Sequence, residues 1–423
     1  MNNIKNYFQI KDWKKSISVN LLTFFKWILF STVTGVIIGF AGAAFHYCLD
    51  IAGELRTAHQ WLIFLLPAAG LTIVFLYRIT GMKDDKGTSY IMTAVRDAKP
   101  IKLRTAALIF IATTLTHLTG GSAGREGAAL QLGGSISDFI GQLMKLDEKD
   151  ERVIVMAGMA AGFSALFGTP LAAAIFAMEV VSVGVMYYAA IVPCVLSALI
   201  ARRVAAFLNV QSTVFNISSI PQLDGWTLVR ILIIGLLFAV VSVLFCFILH
   251  FVPLLYNYVT KNAYIRVLIG SAIMIAAVLL IGTDYCGTGS ATIQKAVEGS
   301  ADPWAFLLKM LLTAVTLCAG FKGGEIVPTF FAGATFGCIA GPIIGLSPSF
   351  SAALGIVSVF CGVTNCPLTS IILSYELFGG RGVPLFALSC AIAYMMSGYW
   401  SLYGSQKVVY SKTKAIFINK DTH

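Results

Sequence analysis

An arginine and a glutamate stand side by side among glycines in the segment from Gly120 to Gly127, which reads GGSAGREG. Almost wholly apolar runs flank this segment, Thr105 to Leu118 before it and Ala128 to Leu143 after it. Burying a charged side chain within a membrane costs free energy, so a charged residue within such apolar sequence indicates a functional site by default. We therefore expect the chemistry of the chain to centre on Arg125 and Glu126.

Helices that begin inside an apolar region offer a way to bind an anion. A helix N-terminus presents unpaired N–H groups and the positive end of the helix dipole, and glycines before it let the backbone approach an anion closely. The segment around Glu126 opens one such helix, and a related segment from Gly320 to Pro328 (GFKGGEIVP) opens another. Gly87-Thr88-Ser89 is a third helix start, with hydroxyl groups. Three converging N-termini would bind a dehydrated anion weakly enough to release it, as transport requires.

A carboxylate at an anion-attracting position suggests a gate. Glu126 would occupy the place of the anion when ionised and leave it when protonated. The alternative is a simple ion pair with Arg125, but adjacent residues on a helix do not face each other.

The composition indicates a membrane protein rather than a soluble domain. Of 423 residues, 57% are hydrophobic and only 12% are charged, whereas soluble domains have about a quarter charged. Lysines near both ends of the chain contribute much of the net charge of +10. Basic residues at the ends of a membrane protein are typical of cytoplasmic flanks rather than of nucleic-acid binding. The nine cysteines and five histidines show no zinc or HExxH spacing. We predict a multi-pass protein of the cell (plasma) membrane with both termini cytoplasmic, which is not an enzyme and uses no metal or cofactor.

The apolar segments differ in length in a way that predicts interrupted helices. Leu21 to Leu49 is longer than the ~20 residues that cross a bilayer, whereas many later segments reach only about 16. Short segments with glycine or proline breaks are typical of transporters built from inverted repeats, with the binding site near the midplane. We predict an all-α fold with a polar N-terminal segment 1–20, one transmembrane domain 21–412 with halves of about 21–208 and 225–412, and a cytoplasmic tail 413–423.

Two matched pairs of segments support the repeat. Pro170-Leu171 is followed by Glu179, and Pro367-Leu368 is followed by Glu376, each glutamate nine residues after its proline. The segments around Glu126 and Pro328 form the second pair. Because both glutamates lie late in short helices, we expect Glu179 and Glu376 to cap or anchor helices.

The motifs resemble those of the CLC family of chloride channels and proton-coupled chloride exchangers, over about residues 20–412. GSAGREG resembles the family's GSxxGREGP signature, with Ala128 where proline is usual, and GGEIVP resembles its GGxFxP motif, with Ile326 in the phenylalanine place. The segment from Gly87 to Ile91 resembles its GSGIP loop, and Tyr403 resembles its anion-coordinating tyrosine.

The resemblance implies a homodimer in the lipid bilayer, in which each subunit has an inverted-repeat fold and its own pathway for halide and protons. Glu126 would be the gate and proton acceptor, the hydroxyls of Thr88 and Tyr403 would hold the anion, and backbone N–H groups would complete the site. The predicted anion-binding residues are Gly87, Thr88, Ser89, Gly124, Arg125, Gly127, Ile326, Val327 and Tyr403.

Departures from the family pattern leave the mechanism open. Val180 stands where exchangers have an internal proton-relaying glutamate, and Thr88 replaces the usual serine. Glu325 stands where an apolar residue is usual, either as a substitute proton carrier or as a partner of Lys322. The fluoride-exporting branch of the family also has a glutamate there, although it typically has methionine at the place of Thr88.

Three transport functions follow from these residues. We expect proton-coupled chloride exchange, because Glu126 and Tyr403 are both present. A passive, voltage-gated-type chloride channel is the alternative that Val180 favours, and a fluoride/proton antiporter is the third. A cation transporter would instead need acidic rings at the membrane midplane.

Overall fold

The computed structural model describes residues 10–83, 85, 87–97 and 99–422. Those residues form sixteen α-helices and one three-stranded sheet. The helices of the first half are α1 Ile10–Ala58, α2 Leu66–Ile79, α3 Thr88–Asp97, α4 Arg104–Leu118, α5 Glu126–Leu143, α6 Glu148–Phe167, α7 Pro170–Glu179 and α8 Ile191–Phe207. Those of the second half are α9 Gly225–Val259, α10 Ala263–Ile281, α11 Ser290–Glu298, α12 Ala305–Ala319, α13 Ile326–Ile343, α14 Pro348–Thr364, α15 Pro367–Phe378 and α16 Val383–Met396. The strands are β1 Ser182–Val183, β2 Lys407–Tyr410 and β3 Phe417–Asp421, and short 3-10 helices span Gln60–Leu65 and Tyr188–Ala190.

The two halves repeat the same order of helices. Helices α5 and α13 are each 18 residues long and each follow a glycine-rich loop, and α7 and α15 each begin with proline. The connection 208–224 contains no helix or strand. It ends at the N-cap Asp224, which accepts a hydrogen bond from the Thr227 N–H at 2.7 Å, and this bond lowers the pKa of the Asp224 carboxyl.

Reciprocal caps show that the repeats are inverted. The Glu179 carboxylate, at the end of α7, accepts hydrogen bonds from the N–H groups of Leu368 and Thr369 at the start of α15, at 3.1 and 2.9 Å. The Glu376 carboxylate, late in α15, accepts two hydrogen bonds of 2.9 Å from N–H groups in the first turn of α7. The end of each short helix therefore meets the start of the other, which confirms the expected capping role of both glutamates.

Helices of two lengths build the membrane domain. Six helical segments in the described part of the chain are long and apolar enough to cross a membrane: Ile17–Ala58, Gln60–Ile79, Tyr188–Phe207, Gly225–Val259, Ala263–Ile281 and Ile326–Ile343. Six further apolar helices have only 10–17 residues, as the interrupted pattern predicts. Large apolar side chains such as Leu22 (71% exposed) and Val240 (65% exposed) cover the outside of the longest helices, where a bilayer would bury them.

The core lies where α5 packs on α6 and α13 packs on α14. Nearly every residue of α14 is buried, and so is α6 from Ile154 onward. Small residues allow this close approach, since a Cβ at Gly133 or Gly333 would collide with the facing backbone. The core therefore brings the N-termini of α5 and α13 into the interior.

The sheet anchors the C-terminal segment to the connection between α7 and α8 in the first half. Strand β1 pairs in parallel with β2, with Ser182 opposite Lys407, and β2 pairs antiparallel with β3. The predicted segment boundary at residue 20 falls inside α1, and the predicted tail 413–423 contains β3. These domain boundaries stay predictions.

Candidate anion site

The loops before α5 and α13 contact each other through reciprocal backbone hydrogen bonds. Gly124 N–H donates to the Gly324 carbonyl at 2.6 Å, and Gly324 N–H donates to the Gly124 carbonyl at 2.8 Å. A Cβ at Gly124 would lie 2.9 Å from the Gly324 carbonyl oxygen, so this pairing requires glycine. Gly124 was predicted to bind the anion, but its N–H is already bonded to Gly324, and its contribution is to align the two helix starts.

The Glu126 side chain lies between these two helix starts and is fully buried. Its Oε2 atom accepts hydrogen bonds from the backbone N–H of Arg125 at 3.0 Å and of Val327 at 3.2 Å. Its Oε1 atom is buried without a hydrogen-bond partner. The carboxylate thus occupies the position that N–H groups from both repeats create for an anion, although its role as a gate stays a prediction.

The Arg125 side chain extends from the site towards α1. Its Nη1 atom lies 3.2 Å from His46 Nδ1 and 3.7 Å from Asp50 Oδ1, while its Nε atom is 3.9 Å from Glu126 Oε1. His46 Nε2 in turn lies 3.0 Å from Asp50 Oδ2. Arg125 therefore donates its main-chain N–H to Glu126, and its guanidinium forms a long ion pair with the same carboxylate as well as contacts with His46 and Asp50. His46 and Asp50 are residues that the sequence analysis did not include.

The predicted third helix start is present, because α3 begins at Thr88 after Gly87, which has a φ of +59°. The Thr88 hydroxyl donates to the Gly127 carbonyl at 3.4 Å and accepts from Gln131 Nε2, also at 3.4 Å. Ser89 uses its main-chain carbonyl to accept hydrogen bonds, one of them from the Ser405 hydroxyl at 3.0 Å. Gln131, one turn into α5, is a site residue that the sequence analysis missed.

Tyr403 and Glu325 complete the site. The Tyr403 hydroxyl is buried without a hydrogen-bond partner and lies within electrostatic range of both Glu325 and Glu126. Glu325 is the N-cap of α13, and its Oε2 atom is also buried without a partner. A Cβ at Gly127 would lie 2.9 Å from Thr88 Oγ1 and 3.3 Å from Glu325 Oε2, so these groups face one another across Gly127.

Unsatisfied polar atoms are concentrated at this place. Buried polar atoms normally have hydrogen-bond partners, so a cluster without them fits a site for a small polar ligand. Hydroxyl and N–H donors would bind an anion, and the two carboxylates would take up protons. The unpartnered atoms are Glu126 Oε1, Gln131 Oε1, Glu325 Oε2 and Tyr403 Oη.

Lys322 does not pair with Glu325, and that alternative is wrong. Its ammonium group forms a salt bridge of 2.8 Å with Asp85 and lies 4.4 Å from the centre of the Tyr77 ring. Asp85 comes from the loop before α3, and its side chain is almost fully buried. Lys322 forms its salt bridge with Asp85, and no salt bridge to Glu325 occurs among the described residues.

Val180 lies at the end of α7, where it is completely buried. Its carbonyl accepts a hydrogen bond from Gln406 Nε2 at 2.8 Å, and the same amide group donates to the Thr364 carbonyl at 2.8 Å. Gln406 thereby joins the segment that carries Tyr403 to both repeats.

An inverted repeat of interrupted helices, with two helix N-termini converging on a buried carboxylate, defines a membrane transporter or channel for anions. The family model described as "Voltage gated chloride channel" matches residues 69–398. The chain belongs to this family, the CLC family, as its motifs indicated. Members of the family are membrane transporters or channels and not enzymes.

The similarity extends over nearly the whole chain. A protein named "Chloride/fluoride channel protein" from Pseudomonas syringae pv. tomato is 35% identical over 96% of this chain and 91% of its own length. The crystal structure of a CLC-type fluoride/proton antiporter matches with a TM-score of 0.87 and 33% identity, covering 90% of this chain and 98% of that chain. The H(+)/Cl(-) exchange transporter ClcA of Vibrio cholerae serotype O1 is 25% identical over 84% of this chain and 82% of its own length.

Proposed function

We propose that this protein is a proton-coupled halide antiporter and that fluoride is its halide. The observation that carries the proposal is the position of the Glu126 carboxylate, which accepts N–H hydrogen bonds from the starts of both α5 and α13. A halide at the same place would use the same donors.

Competition between the Glu126 carboxylate and the halide for these N–H donors couples halide transport to proton transport. An ionised Glu126 excludes the halide, and a protonated Glu126 no longer competes for the N–H groups. Proton binding therefore prepares the site for the anion, and release of the proton returns the carboxylate. Glu325, buried nearby without a cation partner in a salt bridge, supplies a second proton acceptor in place of the glutamate that Val180 replaces.

Two observations favour fluoride over the chloride that we expected from the motifs. Two relatives above 30% identity are a chloride/fluoride channel protein and a fluoride/proton antiporter, whereas the chloride exchanger named above is 25% identical. In addition, Glu325 contributes a second carboxylic acid to the site. A protonated carboxylic acid donates a hydrogen bond, and a small, strongly hydrated anion needs many donors when it loses its water.

The test is reconstitution of the purified protein in liposomes loaded with fluoride or chloride, with anion efflux and internal pH recorded together at neutral pH. We expect fluoride efflux to drive proton uptake and chloride efflux to be much slower. Anion efflux without proton movement would instead indicate a passive channel. Coupled efflux of chloride in preference to fluoride would establish a chloride exchanger. Protein-free liposomes loaded with fluoride measure the leak of hydrogen fluoride through lipid.

The oligomeric state and the membrane belong to the same proposal. We propose a homodimer in the cell membrane, with a complete pathway in each subunit, both termini cytoplasmic, and no metal or cofactor. We place the contact between the two subunits at an exposed apolar groove formed by α7, α8, α15 and α16. The mass of the protein in lipid nanodiscs tests it, and a monomer would contradict it. The groove is lined by Leu171, Ile175, Val195, Ile371, Ile372, Tyr375 and Val383.

A further inference from the structure

Lys309 is a lysine in the interior of the protein that the halide site does not explain. It lies in the apolar helix α12 and has no solvent exposure. Its ammonium group donates hydrogen bonds to the carbonyls of Tyr285 at 3.0 Å and Gly287 at 2.6 Å, and lies 5.3 Å from the centre of the Phe331 ring. The salt bridges among the described residues do not include Lys309. A buried charge without a carboxylate is costly, and in a membrane protein it marks a functional position.

Both carbonyls that Lys309 binds belong to one loop, and this loop contacts the segment Gly121–Gly124, called here the gate segment. Gly287 N–H donates to the Gly121 carbonyl at 2.9 Å, and Ala123 N–H donates to the Gly287 carbonyl at 3.2 Å. The Gly287 carbonyl therefore accepts hydrogen bonds from both Lys309 and the gate segment. Ala123 is followed directly by Gly124, which pairs with Gly324 just before α5 begins. A shift of the Gly287 loop would therefore also shift the start of α5.

Lys309 also belongs to a polar face of α12 that binds the gate segment directly. Thr313 and Thr316 follow it at helical spacing, one and two turns later. The Thr313 hydroxyl lies 3.1 Å from the Ser122 hydroxyl, and the Thr316 hydroxyl accepts from the Ser122 N–H at 3.1 Å. The threonines make only neutral hydrogen bonds, so Lys309 is the one charged member of this face.

The charges differ between two contacts: that of the Gly287 loop with the gate segment, and that of the Asp85 loop with Lys322 in the other repeat. On the Gly287 side, Lys309 is within electrostatic range of Glu126, and both Arg56 and His117 lie near Gly287. On the other side, the charge of Lys322 is balanced by Asp85. The Gly287 side therefore holds a lysine charge without a carboxylate in salt-bridge contact, next to the site where the halide would bind.

We propose that Lys309 is a positioning residue that holds the Gly287 loop against the gate segment and supplies a positive charge that raises halide affinity. The proposal rests on halide transport as the function. A neutral amide would satisfy the two carbonyls at a smaller desolvation cost, so the charge is the property that requires lysine. For scale, a unit charge placed about 10 Å from an anion at an effective dielectric constant of about 20–40 changes the affinity for that anion roughly four- to fifteen-fold.

The test compares two variants of the full chain. Lys309→Gln keeps two N–H donors and removes the charge, whereas Lys309→Arg keeps the charge. Lys295→Gln, which removes an exposed lysine on α11, is the matched control. Halide dissociation constants are measured by calorimetry in detergent, and KM and kcat are measured from liposome efflux. We expect Lys309→Gln to raise both Kd and KM roughly four- to fifteen-fold, and Lys309→Arg and the control to stay within about twofold.

Each contrary result has a distinct meaning. Wild-type affinity in Lys309→Gln, equal loss of affinity in both variants, or failure of Lys309→Gln to yield folded protein would show that the lysine acts only through structure, and would overturn the proposal. A wild-type protein that neither binds nor carries halide would refute the proposed function itself. The ratio of variant to wild-type Kd therefore tests the role of Lys309, and halide transport by the wild-type protein tests the proposed function.

Discussion

Gly124 and Gly324 donate one backbone hydrogen bond to each other, at 2.6 and 2.8 Å, where the two inverted repeats meet. This pairing is antiparallel and joins the loops that open α5 and α13. Neither repeat has a complete anion site alone, because Glu126 comes from one repeat and the Val327 N–H that binds it comes from the other. The site therefore exists only in the assembled pair of repeats.

Replacing Glu126 with glutamine tests the gate. The amide is permanently neutral, so it cannot release a proton, and it competes less well for the N–H groups that bind an anion. We expect Glu126→Gln to conduct halide without moving protons and without a dependence on pH. Liposome efflux with simultaneous pH recording measures both quantities. Glu54→Gln, at an exposed position on α1, is the control. Loss of halide flux and proton movement together would argue against the gate.

Replacing Glu325 tests the second carboxylate. If Glu325 carries protons, Glu325→Gln leaves Glu126 in place but removes the nearby acceptor, and the proton flux accompanying each transported halide falls by roughly tenfold or more. The same liposome measurement applies, with the ratio of proton to halide flux as the readout. A ratio equal to that of the wild type would leave Glu325 with a structural role.

The hydroxyls of Thr88 and Tyr403 are predicted to hold the halide. Thr88→Val keeps the shape of the side chain, and Tyr403→Phe keeps the ring, so each variant removes mainly a donor. Because a hydrogen bond to a charged group contributes roughly 1.5–3 kcal/mol, we expect halide Kd to rise by about tenfold or more in each. Calorimetry measures this change. Thr114→Val removes a hydroxyl that bonds only within α4 and should leave the Kd unchanged.

The reciprocal caps are predicted to stabilise the fold. Glu179→Ala leaves the N–H groups of Leu368 and Thr369 without their acceptor, and Glu376→Ala does the same to Leu171 and Ala172. We expect each alanine variant to lose roughly 1–3 kcal/mol of stability, and the glutamine variants to lose less because an amide oxygen still accepts. Thermal unfolding in detergent is the measurement. Unchanged melting temperatures in both alanine variants would contradict the capping role.

Much of the architecture could be predicted from local sequence, because helix starts inside the membrane need glycine, proline or hydroxyl residues that stand out among apolar ones. The starts of α3, α5 and α13 and the capping roles of Glu179 and Glu376 follow from such residues. Motif spacing also indicated the repeat, since two matched pairs recur at nearly the same separation.

The site residues that the sequence analysis missed are of two kinds: one that only the packing brings to the site, and others whose local sequence carried a signal. Gln131 lies inside α5 and reaches Thr88 only through the packing of α3 on α5. The four-residue spacing of His46 and Asp50 on α1 was a readable signal, as was Lys309 within an apolar run. The alternative that paired Lys322 with Glu325 was wrong because it rested on proximity in sequence, whereas the fold supplies Asp85 from the other repeat.

The caps between α7 and α15 also constrain how the chain matures. The N–H groups that open α7 have no carboxylate until Glu376 has been synthesised, nearly the whole second half later. We therefore expect the start of α7 to stay incomplete during translation until the second half has been made. A chain truncated before Glu376 should accordingly be less stable in the membrane and more readily degraded than the full chain.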